Sequence, residues 1–393
     1  MRDIAVVTIA RSDFGIYFPI LKEIQKRNDL NLKIIVSGMH LSPKFGLTVT
    51  EVEREFEVFH KIDSLYYSEN PDGVGHTIAQ GTKGFTELFS KYKPDILLTL
   101  GDRFDMLPAV LAAFPFKIPI AHLHGGELTL GNIDDTIRHM ISKAAHIHFA
   151  SSAVYANRLS QLGEEPWRIH VTGAPGLDTI RETQVWDLET MKSRLGINIP
   201  ESYLLTTFHP VTLDLENTKT YINNLLSAFE TVNRPVVFTY PNADSTGNFI
   251  IEAINDFADK NENVYVIKNA GQIGYLSLMA HAEAMVGNSS SGIIEAASYR
   301  LPVVNIGNRQ EGRVFPENII QCDYSTDQIS QAILKAISEE FKASLASMVN
   351  PYGDGRSAPR IVDILSSLSL NHQLTSKRFN DITVESNFKE PWL

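Results

Sequence analysis

A single cysteine, Cys322, stands in 393 residues, which excludes an internal disulfide and any multi-cysteine zinc or iron–sulfur site and fits a reducing compartment. No apolar run approaches the roughly 20 residues a bilayer needs. The first of them, residues 4–9, meets Arg11 and Asp13 at once and has no cleavage site of signal type. The sequence therefore predicts a cytoplasmic protein without a membrane segment. A basic excess is missing as well: 35 Lys and Arg face 46 Asp and Glu, a net charge of −11, which argues against a dedicated nucleic-acid binder. Any anionic ligand must then be held by a local cluster of donors. There is no Walker A loop, because residues 75–83 carry glycines without the spacing or the Gly-Lys-Ser/Thr ending. No Gly-x-Gly-x-x-Gly follows the first strand, which disfavours a dinucleotide-binding domain, and no Gly-x-Ser-x-Gly elbow supports a serine hydrolase.

What is present reads as α/β. With 43% hydrophobic and 21% charged residues the chain is globular, and at about 150 residues per domain its length suggests two domains. Short β-branched runs alternate with segments of helical period, the pattern of βα units forming a parallel sheet covered on both faces. In the first half strands are expected at residues 4–9, 32–37, 96–100, 118–123, 147–150 and 169–172, with helices near 16–27, 77–92, 105–114, 134–144 and 153–162. The second half repeats the alternation, with strands at 203–208, 236–240, 264–267, 284–286 and 303–306 and helices including 217–232 and 327–338. Between them, residues 173–200 mix a Gly-Ala-Pro-Gly turn, a polar helix and a further proline. The reading is a first domain over 1–180, a second over 181–368, and a polar tail or strap over 369–393. A cleft between the domains is the expected ligand site, since open α/β sheets bind at the carboxyl ends of their strands.

The most informative stretch is Gly287-Asn288-Ser289-Ser290-Ser291-Gly292-Ile293-Ile294-Glu295, following a strand and opening a helix. Small residues admit a diphosphate close to the backbone, first-turn N–H groups lack intrahelical partners, and hydroxyls add donors. Glu295, one turn on, could accept both hydroxyls of a ribose; equally, Ser289 could merely cap the helix with Glu295 completing a capping interaction. Arg309 and Arg313 after the next strand favour the diphosphate reading, although each could be a solvated surface arginine. In the first half Arg11-Ser12-Asp13-Phe14-Gly15 and Gly101-Asp102-Arg103 are expected as loops at strand ends, with Asp102 either in the site or paired with Arg103 or capping the next helix.

His122, His124, Glu127, Asp134 and Asp135 crowd a Gly-rich loop. Strand alternation would point His122 and His124 the same way, but no recognised metal spacing is present. His139 reads as a helix-surface partner of Asp135. His209, in Phe208-His209-Pro210, faces the same strand-end region of the second half, or is a satisfied buried histidine.

In order and spacing these segments resemble the hydrolysing UDP-N-acetylglucosamine 2-epimerase family of bacterial sialic-acid and related nonulosonate pathways. The resemblance is carried by Ala-Arg-Ser-Asp-Phe-Gly, Gly101-Asp102-Arg103-Phe104-Asp105, His122-Leu123-His124-Gly125-Gly126-Glu127, Ile133-Asp134-Asp135-Thr136-Ile137-Arg138-His139, Phe208-His209-Pro210, Pro241-Asn242, Gly287 to Glu295 and Gly307-Asn308-Arg309-Gln310. It implies two Rossmann-like domains facing across a cleft in the GT-B arrangement, a UDP-sugar substrate, no metal or redox cofactor, and a homo-oligomer, dimer or tetramer. It also implies that Arg11 and Arg103 touch the nucleotide-sugar from the first domain. Asn242, Ser289, Ser290, Glu295 and Arg309 would hold UDP from the second, with Glu295 on the ribose. Asp102, His124, Glu127, Asp134 and His209 would surround the sugar.

Two departures shape the assignment. Related branches carry Glu at the position of His124, so their acid or base does not transfer, and Glu127, Asp102 and Asp134 stand as candidates. Non-hydrolysing relatives carry a lysine five residues after the first-loop arginine; Ile16 stands there here, which favours the hydrolysing branch. The implied reaction turns UDP-N-acetylglucosamine and water into N-acetylmannosamine and UDP through a glycal, with Glu127 and Asp134 as the acid-base pair. The rivals are the same chemistry on a UDP-2,4-diacetamido-2,4,6-trideoxyhexose, a GT-B glycosyltransferase, and a UDP-sugar-binding regulator.

Overall fold

The computed structural model describes residues 1–66, 72–130, 133–211, 214–241 and 248–383. The chain divides into two compact units, one of 1–127, 132–175 and 357–393 and one of 128–131 and 176–356.

The first unit is built on a parallel sheet of seven strands: β1 (Arg2–Thr8), β2 (Leu30–Ser37), β3 (Val58–Ile62), β4 (Ile96–Leu100), β5 (Ile120–Leu123), β6 (Ile147–Ala150) and β7 (Ile169–Val171), in the order β3-β2-β1-β4-β5-β6-β7. Side chains alternate across the sheet, so Ile4 and Val6 join a core with Tyr17, Ile20 and Leu98, while Ala5 and Val7 join another with Phe85, Val110 and Ile141. Both faces are buried, which is why the strands read as continuous apolar runs. The edge strand β3 breaks that rule, with its middle three residues exposed, and had no signal in the sequence. The strand order reverses between β1 and β4, the switch point at which open α/β sheets take ligands.

The second unit repeats the plan with six parallel strands: β8 (Leu204–Thr207), β9 (Val236–Thr239), β10 (Val264–Ile267), β11 (Ala284–Gly287), β12 (Val303–Ile306) and β13 (Ile319–Cys322), ordered β10-β9-β8-β11-β12-β13. Its switch point lies between β8 and β11, the strands that lead into His209 and the serine-rich turn. Among the described residues no helix is long and apolar enough to cross a membrane.

The course of the C-terminal segment differs from the sequence reading, which gave residues 357–368 to the second domain. The helix Ser357–Ser367 places Ile361, Val362 and Leu365 in the first unit's core beside Tyr17, Leu21 and Ile24. Arg2 fastens its end by donating to the carbonyls of Ser366 (2.8 Å) and Leu368 (2.6 Å). A strap follows. The fully buried Arg168 guanidinium donates to the carbonyls of Leu374 (2.8 Å) and Gln373 (2.9 Å), and the Lys377 ammonium reaches the Ala145 carbonyl (2.6 Å) and the Glu164 carboxylate (2.7 Å).

Candidate active site

The first unit gathers charge at the carboxyl ends of β1, β4 and β5. The first helix spans Arg11–Gln25, so Arg11 to Gly15 is its opening turn and not the loop expected from sequence. The cause is Asp13: its carboxylate accepts from the backbone N–H groups of Ile9 (2.9 Å) and Ala10 (2.7 Å) and closes the turn at once. Burial pushes that carboxyl up to about 7. Arg11 extends from the turn into solvent, 3.4 Å from Glu51.

Past β4, the Asp102–Arg103 pair, one of the alternatives open to Asp102, does not form. Arg103 turns to the fully buried Asp105 in a two-point contact, Nε to Oδ1 at 3.0 Å and Nη2 to Oδ2 at 3.1 Å. Asp102 pairs with Arg138, a buried arginine on the helix Ile133–Ala144 that also donates to the His124 carbonyl at 2.9 Å. Arg138 was quoted within a motif but given no task by sequence reading; its position four residues after Asp134, on the same helix face, was the available signal. Asp134 starts that helix half-buried, and burial together with the nearby Asp102 charge pushes it up to about 6.

His122 and His124 serve separate roles. The strand ends at Leu123 and His124 takes a left-handed backbone with φ 61°, so the alternation that would align them stops between them. His122 is fully buried, with Nε2 at 2.8 Å from the Gly101 carbonyl and Nδ1 at 3.2 Å from Ser142 Oγ, and burial holds its pKa near 3. Neither nitrogen is left for a metal. His124 instead bonds through Nδ1 to Glu127 Oε1 at 2.6 Å, and Ser151 Oγ donates to the same oxygen at 2.6 Å. Gly126, at φ 79°, is required between them: a Cβ there would lie 2.4 Å from the Tyr155 carbonyl. His139 lies 3.8 Å from Asp135 on the helix surface, as expected.

The second unit supplies a different surface. Gly287 ends β11 at φ 148°, where a Cβ would stand 2.1 Å from the Thr207 carbonyl. Next, the buried Asn288 amide bonds in both directions to the His209 backbone, accepting its N–H (2.7 Å) and donating to its carbonyl (2.9 Å). These bonds lock the ends of β8 and β11 together. Ser289 caps the helix Ser290–Ile294, its Oγ accepting from Ser291 N–H and lying 2.8 Å from Ser291 Oγ, which Tyr275 Oη meets at 2.7 Å. That helix is only five residues long, so its field contributes little and its open N–H groups and hydroxyls carry any anion binding.

Glu295 follows the helix as its C-cap and takes no part in an N-terminal capping box; burial pushes its carboxyl up to about 7. Arg309 Nη1 donates to the Asn288 carbonyl at 3.1 Å and Gln310 Nε2 to the same oxygen at 2.9 Å, which brings the guanidinium to the serine turn as expected. His209 is buried, and burial with the nearby Arg309 charge holds its pKa near 3, which keeps the imidazole uncharged at neutral pH. Asn242 lies outside the described residues. Asn288 and Gln310 lie within the expected motifs without an assigned role, and Tyr275 lies outside them, because single polar residues carry no spacing signal of their own.

Chemically, the second unit offers a cradle of N–H, hydroxyl and guanidinium donors suited to a diphosphate. The first offers carboxylates in contrasting environments and a braced imidazole, the equipment of proton transfer. The family profile of UDP-N-acetylglucosamine 2-epimerases matches residues 22–366. A GDP/UDP-N,N'-diacetylbacillosamine 2-epimerase (hydrolyzing) of Campylobacter jejuni is 39% identical over 87% of this chain and 89% of its own. A UDP-N,N'-diacetylbacillosamine 2-epimerase (hydrolyzing) of Legionella pneumophila is 35% identical over 96% of this chain and 99% of its own. The crystal structure of the Neisseria meningitidis UDP-GlcNAc 2-epimerase bound to UDP-GlcNAc has the same fold, two Rossmann-like domains of the GT-B class, with a TM-score of 0.78, 21% identity, and coverage of 93% of this chain and 99% of that one. The chain thus belongs to the UDP-N-acetylglucosamine 2-epimerase family of enzymes, within its hydrolysing group.

Proposed function

We propose that this enzyme hydrolyses and epimerises a UDP-2,4-diacetamido-2,4,6-trideoxyhexose, releasing UDP and the free sugar inverted at C2. The observation that carries the choice of sugar is the diacetylbacillosamine specificity in the names of two relatives at 39% and 35% identity over most of their length. UDP-N-acetylglucosamine, placed first by the sequence reading, becomes the competing substrate.

In this reading the serine turn, Arg309 and the neutral His209 hold the diphosphate, and Glu295 holds the ribose. Departure of UDP from C1 makes the C2–H bond acidic, so donors preset around the leaving oxygens contribute most to the rate. A base in the first unit takes the C2 proton and leaves a glycal; water then adds at C1 while a proton reaches C2 from the other face. Asp134, which keeps its proton up to about pH 6, suits the acid role, and Asp102 with Arg138 braces the loop around it. An acidic chain with a single buried cysteine fits the cytoplasm, and we expect a homo-oligomer.

Incubation with each sugar in deuterated water, without an acceptor and followed by NMR, tests the proposal. Free 2-epimerised diacetamido sugar with deuterium at C2 is the expected product, formed faster than N-acetylmannosamine from UDP-N-acetylglucosamine. Preference for UDP-N-acetylglucosamine, for a GDP-linked sugar, or retention of UDP on the product would refute it.

A further inference from the structure

We propose that His124 Nε2 is the base that takes the C2 proton, and that Glu127 and Ser151 are positioning residues that act through it. The assignment rests on the hydrolysing epimerase reading above and changes Glu127 from an acid-base group into a support.

The geometry has four parts. Ser151, just past β6, donates to Glu127 Oε1 at 2.6 Å, and His124 Nδ1 meets that same oxygen at 2.6 Å. A carboxylate oxygen accepts only, so this places the imidazole hydrogen on Nδ1 and the lone pair on Nε2. Nε2 is buried and has no hydrogen-bond partner among the described residues. The backbone that presents it is left-handed at φ 61°, uncommon for a side-chain-bearing residue, and is held from both sides by Arg138 on the His124 carbonyl and Arg158 on the Gly126 carbonyl.

His122, two residues earlier, is the internal contrast. Both its nitrogens are bonded within the fold, so it is structural. An imidazole ordered at one nitrogen by a carboxylate and open at the other is arranged to accept a proton, with the carboxylate stabilising the imidazolium that results. In the step, the Nε2 lone pair takes the C2 proton, the C2–H electron pair becomes the C1=C2 bond, and the C1–O pair leaves with UDP. When the glycal is hydrated, a second acid protonates C2 on the opposite face, water adds its hydroxyl at C1 and gives its remaining proton to that acid's conjugate base, and the imidazolium returns its proton to solvent.

The decisive variant is His124→Gly, because glycine adopts a positive φ without strain and the vacated space can admit a small base. After the wild-type enzyme is shown by NMR to release epimerised sugar, the variant is expected to keep KM within about threefold while kcat falls by about 10² to 10⁴, and added imidazole to restore it at least about tenfold. Glu127→Gln and Ser151→Ala are expected to lower kcat at unchanged KM, with Ser151→Thr restoring it. If His124→Gly keeps wild-type kcat, or loses activity that imidazole does not return, the assignment is overturned while the epimerase reading stands. A wild-type enzyme that converts neither UDP-sugar overturns that reading instead.

Discussion

The two units share one architecture and equip it in opposite ways. At its strand ends the first presents Asp102, Arg103, Asp105, Arg138, His124 and Glu127, bound to one another in short polar contacts. At the equivalent ends the second presents hydroxyls, amides and backbone around Asn288 and Ser289, with one guanidinium, Arg309, and one carboxylate, Glu295. Charges that must transfer protons are useful only when fixed in place, so they are braced against each other. A site that receives an anion gains from donors already organised and from little competing negative charge. On the proposed function, the difference commits one unit to chemistry and the other to holding the nucleotide.

The sharpest way to break that division is Arg138→Met, which removes the partner of Asp102 and the clamp on the His124 carbonyl. Loss of one member of a buried ion pair costs about 3 to 5 kcal/mol, to be read by urea unfolding, and kcat is expected to fall by at least about 10² while calorimetric UDP affinity changes little. Loss of UDP binding alongside would show that the units do not divide the work. Gly287→Ala attacks the other side: a Cβ 2.1 Å from the Thr207 carbonyl must displace the serine turn, with an expected cost of about 3 kcal/mol and a large loss of UDP affinity.

Glu295→Gln gives a smaller and pH-dependent effect. The folded protein holds the Glu295 proton up to about pH 7, whereas the unfolded chain releases it near 4.5, so wild-type stability declines as pH rises between those values and is level above. The variant is therefore expected to match wild type at pH 4 and to exceed it by about 1 to 2 kcal/mol at pH 8 in thermal unfolding, while UDP affinity falls about tenfold. Smallest is Ser289→Ala, where loss of a cap costs about 1 kcal/mol and a few-fold in UDP affinity.

The sequence revealed much of this arrangement, and its gaps have physical causes. Buried parallel strands announce themselves as apolar runs, so β4, β6 and β12 have the bounds expected, and the half-buried edge strand β10 does too because Val264-Tyr265-Val266-Ile267 stays apolar throughout; the edge strands β3 and β13 are partly solvated, carry polar residues and were missed. The segment from Gly287 to Arg309 is legible because a close-packed turn needs small residues in consecutive positions. Arg138, visible within its motif, and Ser151 received no role because their meaning lies in partners 36 and 24 residues away, and a tertiary bond leaves no local pattern of its own. Asp13 misled for a local reason: a carboxylate three residues into a loop motif turned out to be what starts the helix.

The strap that Arg168 grips has a consequence for the order in which the molecule is made. The first unit holds the earliest strands of the chain, yet its core also needs Ile361, Val362 and Leu365, which leave the ribosome after the whole second unit. The second unit can thus fold while the first still exposes the apolar face of its opening helix, and that face closes only after the second unit has been made. Truncation before Ser357 would spare the second unit and uncover the core of the first.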